Sequence, residues 1–282
     1  MTAFPNSRRV LDNTDHSNEQ DYEETFDKLH AVAKDEGVRP LHLPETLRMV
    51  VSHLTRMRAG CVCVAGIDLL KRQHVRPVLH GQLETSLLQT LGGPFDMGNI
   101  VNFDQVRILP SFERSEDRLF WKSKVIREKV IDGFSFWHLL NGVSENSLGD
   151  IFHQGLETRN TCAFVAKGKS SISLGCLKPA ETPLLLLEPP EDRPRLRIMV
   201  CDDGRWLKLP VTDIRLFDAV THQIPNASLI EKINSLMKEQ DVLLGVGLTH
   251  LFTSDPQYFE PVHWLQVNAI HLKHNLLWRL AS

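Results

Sequence analysis

The sequence predicts a mainly β chain with peripheral helices (α+β), assembled from small barrels or sandwiches. Three observations carry this. Short β-branched runs recur along the chain, each closed by glycine, proline or an acidic turn residue. Few stretches carry a helical period. Strict alternation of strand and helix is missing, which argues against a doubly wound parallel sheet. The length of 282 residues fits one large domain or two small ones, at about 100–200 residues per domain.

Residues 1–40 read as an acidic tail with a short helix. They hold nine acids and five bases, a net −4 against the chain's formal charge of −3, so the rest is nearly neutral at +1. Tyr22, Phe26, Leu29 and Ala33 recur at helical spacing, and Gly37 and Pro40 stop the pattern. This helix reads either as a solvated element docked on the body or as an acidic arm over a basic site.

A first unit spans 41–160. Leu47–Leu54 is β-branched and half-alternating, and Cys61–Asp68 is apolar and ends on a turn residue. Val75–Val78 is a short strand that Pro77 confines to an edge or bulge. Asn99–Leu109 is a further strand, ended by Pro110. Residues 115–142 read as a helical insertion, with Phe120, Lys124, Val130, Ile131 and Phe134 among charges, and 143–160 as loop or short helix.

A second unit, 161–282, repeats the style, with strands at 161–166, 171–177, 184–188, 195–201, 205–210, 242–249 and 262–271. Asp202-Asp203-Gly204 reads as a type I′ hairpin turn. Leu229–Glu239 reads as an amphipathic helix, with Leu229, Ile230, Ile233, Leu236 and Met237 on one face and Asn226 or Ser228 as its cap.

The near-neutral charge argues against gripping duplex nucleic acid by bulk phosphate neutralisation, and leaves room for a local basic groove. Five cysteines without a regular framework, and no apolar h-region in Met1–Asn13, predict a reducing, cytoplasmic setting. No apolar run reaches the length of a membrane helix.

Ala163–Ser170 fits a loose phosphate-loop pattern, with Lys169 as the phosphate contact. A working loop needs a helix after it. Ile172, Leu174 and Cys176 instead alternate as a strand, so a basic hairpin loop is expected, with an ATPase using Lys169 as the weaker idea. The close histidine and cysteine pairs, His271 with His274 and Cys61 with Cys63, lack the four-ligand spacing of a structural zinc site, so no metal or other cofactor is expected. Nucleophile-elbow and zinc-protease motifs are absent, which favours a non-enzymatic chain, although a triad assembled from distant residues stays open.

Cations and aromatics interleave in two places. Arg56, Arg58, Arg76, Arg118, Trp121, Lys122, Lys124 and Arg127 lie in the first unit, and Arg195, Arg197, Arg205 and Trp206 in the second. Barrels that bind single strands use such cations for phosphates and aromatics for base stacking. Solvated strand faces use the same residue types, and Glu113, Glu116, Asp117 and Glu128 nearly cancel the first group.

An ordered set of short motifs is similar to those of the dual OB-containing domain family of prokaryotes. Leu54–Asp68 followed by Val75-Arg-Pro-Val78 resembles its opening strands, Ser115-Glu-Asp117 its polar-acidic motif, and Ser173-Leu-Gly175 its Ser-Leu-Gly strand. Leu209–Asp213 resembles a strand ending in Val-Thr-Asp, and Leu244–Thr249 with His263–Ile270 its final hairpin. The resemblance covers roughly residues 47–272. It implies two packed OB-like β-barrels, and recognition of a nucleic acid or nucleotide in a prokaryotic defence or genome-conflict system.

Arg56, Asp68, Arg76, Asp117 and Asp213 fall at strand ends or turns, where barrel mouths form and ligands bind. With Trp206 they are the expected ligand-binding residues. The structural alternative is that the acids cap turns and that a buried Arg–Asp pair fixes register between barrels. The chain is thus expected to be a binding module for single-stranded nucleic acid or a nucleotide. The other expectation is a protein-interaction subunit of a multiprotein defence complex. Neither involves a membrane.

Overall fold

In a computed structural model of the protein, the structure describes residues 45–57, 60–109, 113–188, 195–217, 227–252 and 260–275. The helix expected around Tyr22–Ala33, the loop cation Arg58 and the capping position Asn226 lie outside them.

The first sheet contains β1 (Glu45–Arg56), β2 (Cys61–Asp68), β3 (His74–Val78), the short β4 (Leu83–Glu84), β5 (Asn99–Ile108), β6 (Asp117–Phe120) and β7 (Val125–Val130). β1 pairs with β2, and β2 with β3, both antiparallel; β3 runs parallel to β6; β6 pairs with β5, and β5 returns to β1. Five strands therefore close on themselves with one parallel seam, as in an OB barrel. β1 pairs with β5 over Glu45–Val50 and with β2 over Met49–Arg56, and carries a bulge between Val51 and His53. Gly66 permits the close approach of β2, since a Cβ there would collide with the Val50 carbonyl. The barrel is filled by Met49, Val50, Val64, Ile67 and Val75, and by a cluster of Phe95, Phe103 and Phe120 with ring centroids 5.3–6.1 Å apart.

The second half holds β8 (Ser144–Glu145), β9 (Leu156–Arg159), β10 (Cys162–Ala166), β11 (Leu174–Leu177), β12 (Leu184–Glu188), β13 (Arg195–Asp202), β14 (Arg205–Pro210), β15 (Val242–Leu248) and β16 (Val262–Leu272). One sheet runs β8-β11-β15-β16-β10-β9 and the other β12-β13-β14. The two arcs meet where Val211, just past β14, bridges parallel to Val267 in β16. This half is a more open half-barrel. Between β14 and β15 lies a helix, Ala227–Glu239, whose Ile230, Ile233 and Met237 face the core as the sequence predicts. The Asp-Asp-Gly turn between β13 and β14 has φ of 46° at Asp203 and 74° at Gly204, the left-handed pair that a type I′ turn requires.

One expectation is corrected. Residues 115–142 are not a continuous helix: β6 and β7 occupy 117–120 and 125–130, and helix begins only at Gly133, where the Asp132 carboxylate accepts the Ser135 N–H at 2.8 Å. β7 is exposed over most of its length, so its charges decorate a strand surface and imitate a solvated helix. β6 is buried at all four positions because the barrel closes through it. Among the described residues no helix is long and apolar enough to cross a membrane.

Candidate functional site

Strand alternation in β3 puts Val75 in the barrel core and turns Arg76 toward the second half. The β3–β6 register sets Arg76 opposite Asp117. Arg76 Nε donates to Asp117 Oδ1 at 2.6 Å, and its Nη1 donates to Ser173 Oγ at 3.0 Å. Glu116 Oε1 accepts the Ser173 N–H at 2.9 Å and the Ser173 hydroxyl, and lies 3.8 Å from Arg76 Nη2. All four residues are buried. Burial works against the Arg76 charge, but Cys63, Asp117 and Glu116 together outweigh it and hold its pKa raised. Three motifs far apart in sequence, 75–78, 115–117 and 173–175, thus knit one polar cluster between the barrels.

Beside this cluster opens a cleft of about 410 Å³ whose lining includes Arg72, His74, Glu116, Arg118, Glu145 and Asp150. His74, half-buried with both ring nitrogens covered, also belongs to a trio with the buried His53 and His271. Its ring lies 5.6 Å from that of His53, which lies 6.4 Å from that of His271. Gly245 makes room for the His53 ring, since a Cβ there would meet Nε2 at 2.6 Å. Burial lowers the His53 pKa to about 4 and the His74 pKa to about 3, and pushes His271 well below the ordinary imidazole value. At neutral pH the trio is uncharged. Among the described residues no group of three or more His, Cys, Asp or Glu is arranged to hold a metal ion. Sequence reasoning missed Glu116 as a cluster member and missed the trio. The available signal was Ser52-His53 set between the apolar Met49-Val50-Val51 and Leu54.

The other expected residues fall elsewhere. Asp213 is fully buried and accepts from Arg215 N at 3.1 Å, Nε at 3.0 Å and Nη2 at 2.7 Å, and from the Ile270 N–H at 3.0 Å. Arg56 is its neighbour across the Thr55–Asp213 bridge; its N–H donates to the Thr212 carbonyl at 2.7 Å and its guanidinium lies 4.2 Å from the centre of the Phe217 ring. Asp68 Oδ1 accepts the Leu70 and Lys71 N–H groups at 2.8 and 3.2 Å, closing the turn into β3. Removing such a turn acceptor costs about 1 kcal/mol. Asp68→Ala is therefore expected to lower the urea midpoint modestly, a shift read by equilibrium denaturation.

Trp206 stands on β14, 44% exposed. The register places it opposite Cys201, Lys208 opposite Met199, and Arg197 opposite Pro210, so with Arg195 these side chains share one strand face. Glu188, opposite Arg195 on β12, pairs with Lys208 and lies 3.5 Å from Arg197. At Ala163–Ser170 the chain runs strand, turn, strand. Gly168 has φ of 73°, its N–H donates to Glu113 Oε1 at 2.7 Å, and β11 follows rather than a helix. A carboxylate thus holds an amide that a phosphate loop would offer its ligand.

The family model of the dual OB-containing domain matches residues 47–270. No curated protein matches the sequence. Among solved structures, the tetrameric p202 HIN2 is similar at 10% identity over 79% of this chain and 93% of that one, with a TM-score of 0.29. A murine DNA binding protein bound with ds DNA is similar at 8% identity over 80% and 93%, with a TM-score of 0.31. Likenesses this loose leave the functional reading to the chain's own geometry. The family match, in contrast, takes in every motif that builds the interbarrel cluster, and the chain belongs to the dual OB-containing domain family.

Proposed function

We propose that the chain is a non-enzymatic binding module for single-stranded nucleic acid, held on the outer face of β12, β13 and β14. The observation that carries this reading is the half-exposed Trp206 on a strand face shared with Arg195, Arg197 and Lys208. In OB barrels the second and third strands supply the face that takes oligonucleotides. In the first barrel β3 is turned inward against the second half, with Val75, Arg76 and Pro77 all buried. The corresponding face of the second half is partly exposed; its cations Arg195, Arg197 and Lys208 stand with Glu188 at one end, and Glu181 reaches the Cys201 side chain opposite Trp206. An aromatic platform contributes about 1–3 kcal/mol per stacked base, and the arginines neutralise phosphates. A role in prokaryotic defence is the setting we infer for this module from its family resemblance.

Fluorescence anisotropy with labelled single-stranded DNA and RNA at low salt tests the reading. Binding is expected to weaken about tenfold or more in Trp206→Ala, and Arg197→Ala is expected to flatten the salt dependence. Absence of binding to both strands, or affinity unchanged in Trp206→Ala, would overturn it.

A further inference from the structure

We propose that Glu188 is a built-in competitor for the phosphates of a bound single strand. In the free chain its carboxylate holds the place of a phosphate on Lys208 and Arg197, and the strand displaces it. This rests on the reading of β12, β13 and β14 as the seat of the strand, and it names what regulates that seat.

The key contact spans a whole strand. Glu188 ends β12, Lys208 belongs to β14, and β13 runs between them. Lys208 Nζ nonetheless donates to Glu188 Oε1 at 2.5 Å, and Arg197 Nε, on β13, lies 3.5 Å from Glu188 Oε2. Each carboxylate oxygen thus meets one cation, on the middle and the far strand of the sheet. An ion pair at the rim would leave the face clear, whereas this one crosses it. Phosphate oxygens pair with lysine and arginine as carboxylate oxygens do, so strand and carboxylate compete for the same two donors.

The competitor is charged but loosely held. The Lys208 hydrogen bond, and then the charges of Lys208 and Arg197, hold the Glu188 carboxyl below its ordinary value against the opposing effect of burial. It is therefore ionised at neutral pH. The three side chains are between 23% and 37% exposed. Ion pairs this exposed are weak, so a strand can break this one and the freed carboxylate can turn to water.

Trp206 decides which anions succeed. It stands two residues before Lys208 on the same face, about 7 Å away along an extended strand. A bare polyanion only exchanges one anion for another at Lys208 and Arg197. A single strand adds the stacking of a base on the indole. Glu188 thus turns the face toward base-bearing strands and away from anions in general.

Fluorescence anisotropy of the full chain with a labelled single-stranded oligonucleotide tests the proposal, with inorganic polyphosphate as competitor. Glu188→Gln is expected to tighten strand binding by about three- to tenfold, the worth of an exposed pair plus the repulsion it removes. It also steepens the fall of log affinity with log salt by about 0.7 for each cation freed for a phosphate, and polyphosphate competes more strongly. Glu188→Asp keeps the charge but draws it one carbon back from Lys208, so it too tightens binding. Glu239→Gln removes the same charge from the exposed end of the helix Ala227–Glu239 and is expected to change affinity by less than about twofold, since it frees no cation. Three results overturn the proposal: strand binding unchanged or weaker in Glu188→Gln, equal gains in Glu188→Gln and Glu239→Gln (a general effect of net charge), or wild-type affinity in Glu188→Asp. Strand binding that Trp206→Ala weakens and Glu188→Gln leaves unchanged overturns this proposal and spares the face. Strand binding indifferent to both overturns the face itself.

Discussion

Arg76→Ala is expected to lower the free energy of unfolding by about 3–5 kcal/mol, the cost of leaving a buried charge without its partner. The substitution removes the only ion-pair partner recorded for Asp117 among the described residues, and takes a donor from Ser173. It also withdraws the positive charge nearest Glu116. Both carboxylates are buried. The companion variant is Arg76→Met with Asp117→Leu. Replacing a buried pair by apolar groups of similar size is often neutral or better, so the double variant is expected to recover much of the loss. Urea denaturation followed by tryptophan fluorescence reads both. A single variant that costs less than about 1 kcal/mol, the range of an exposed pair, would show that the cluster does not hold the barrels together.

Acid is expected to act on the same region. For His53, His74 and His271 the folded pKa lies below the unfolded value of about 6.5, at about 4 for His53, about 3 for His74 and well down for His271. The unfolded chain thus binds protons that the folded chain refuses. Their full contribution is present above pH 6.5 and is lost as pH falls below it, until each folded pKa is reached. Each histidine makes stability fall by up to about 1.4 kcal/mol per pH unit in that window. Between pH 6.5 and about 5, above the range of most carboxylates, unfolding is expected to take up as many as three protons at the trio. His250, lowered to about 4 by burial and by Arg114, acts in the same direction over the same window. Urea midpoints measured from pH 7.5 to 5 check this, and a flat profile would contradict it.

The sequence made the strands legible where their faces are unequal. β13 and β14 alternate, and the turn between them carries its own signature in Asp203 and Gly204. Barrel closure was another matter. The parallel pairing of β3 with β6 joins residues 41 positions apart, and no local period names that partner. The family resemblance that the ordered motifs support implied barrels without naming this pairing. β7 was misread because Arg127, Glu128 and Lys129 are exposed there, and exposed charge is compatible with either element. In the candidate site, Arg76 and Asp117 could be named from their motifs. Glu116, one residue from Asp117, was read as a charge that cancels nearby cations. The histidine trio draws on β1, β3 and β16, so its members become neighbours only after the two halves pack.

The cluster around Arg76 also orders the steps of assembly. Asp117 reaches Arg76 across 41 residues within the first barrel, whereas Ser173 comes from 97 residues away, on a segment that leads into β11 and its pairing with β15. Closing the longer loop costs more entropy and brings contacts later. The ion pair is therefore expected to form while water still reaches it and to lose that water when the second half docks, an order that a lower φ-value at Ser173 than at Arg76 would support.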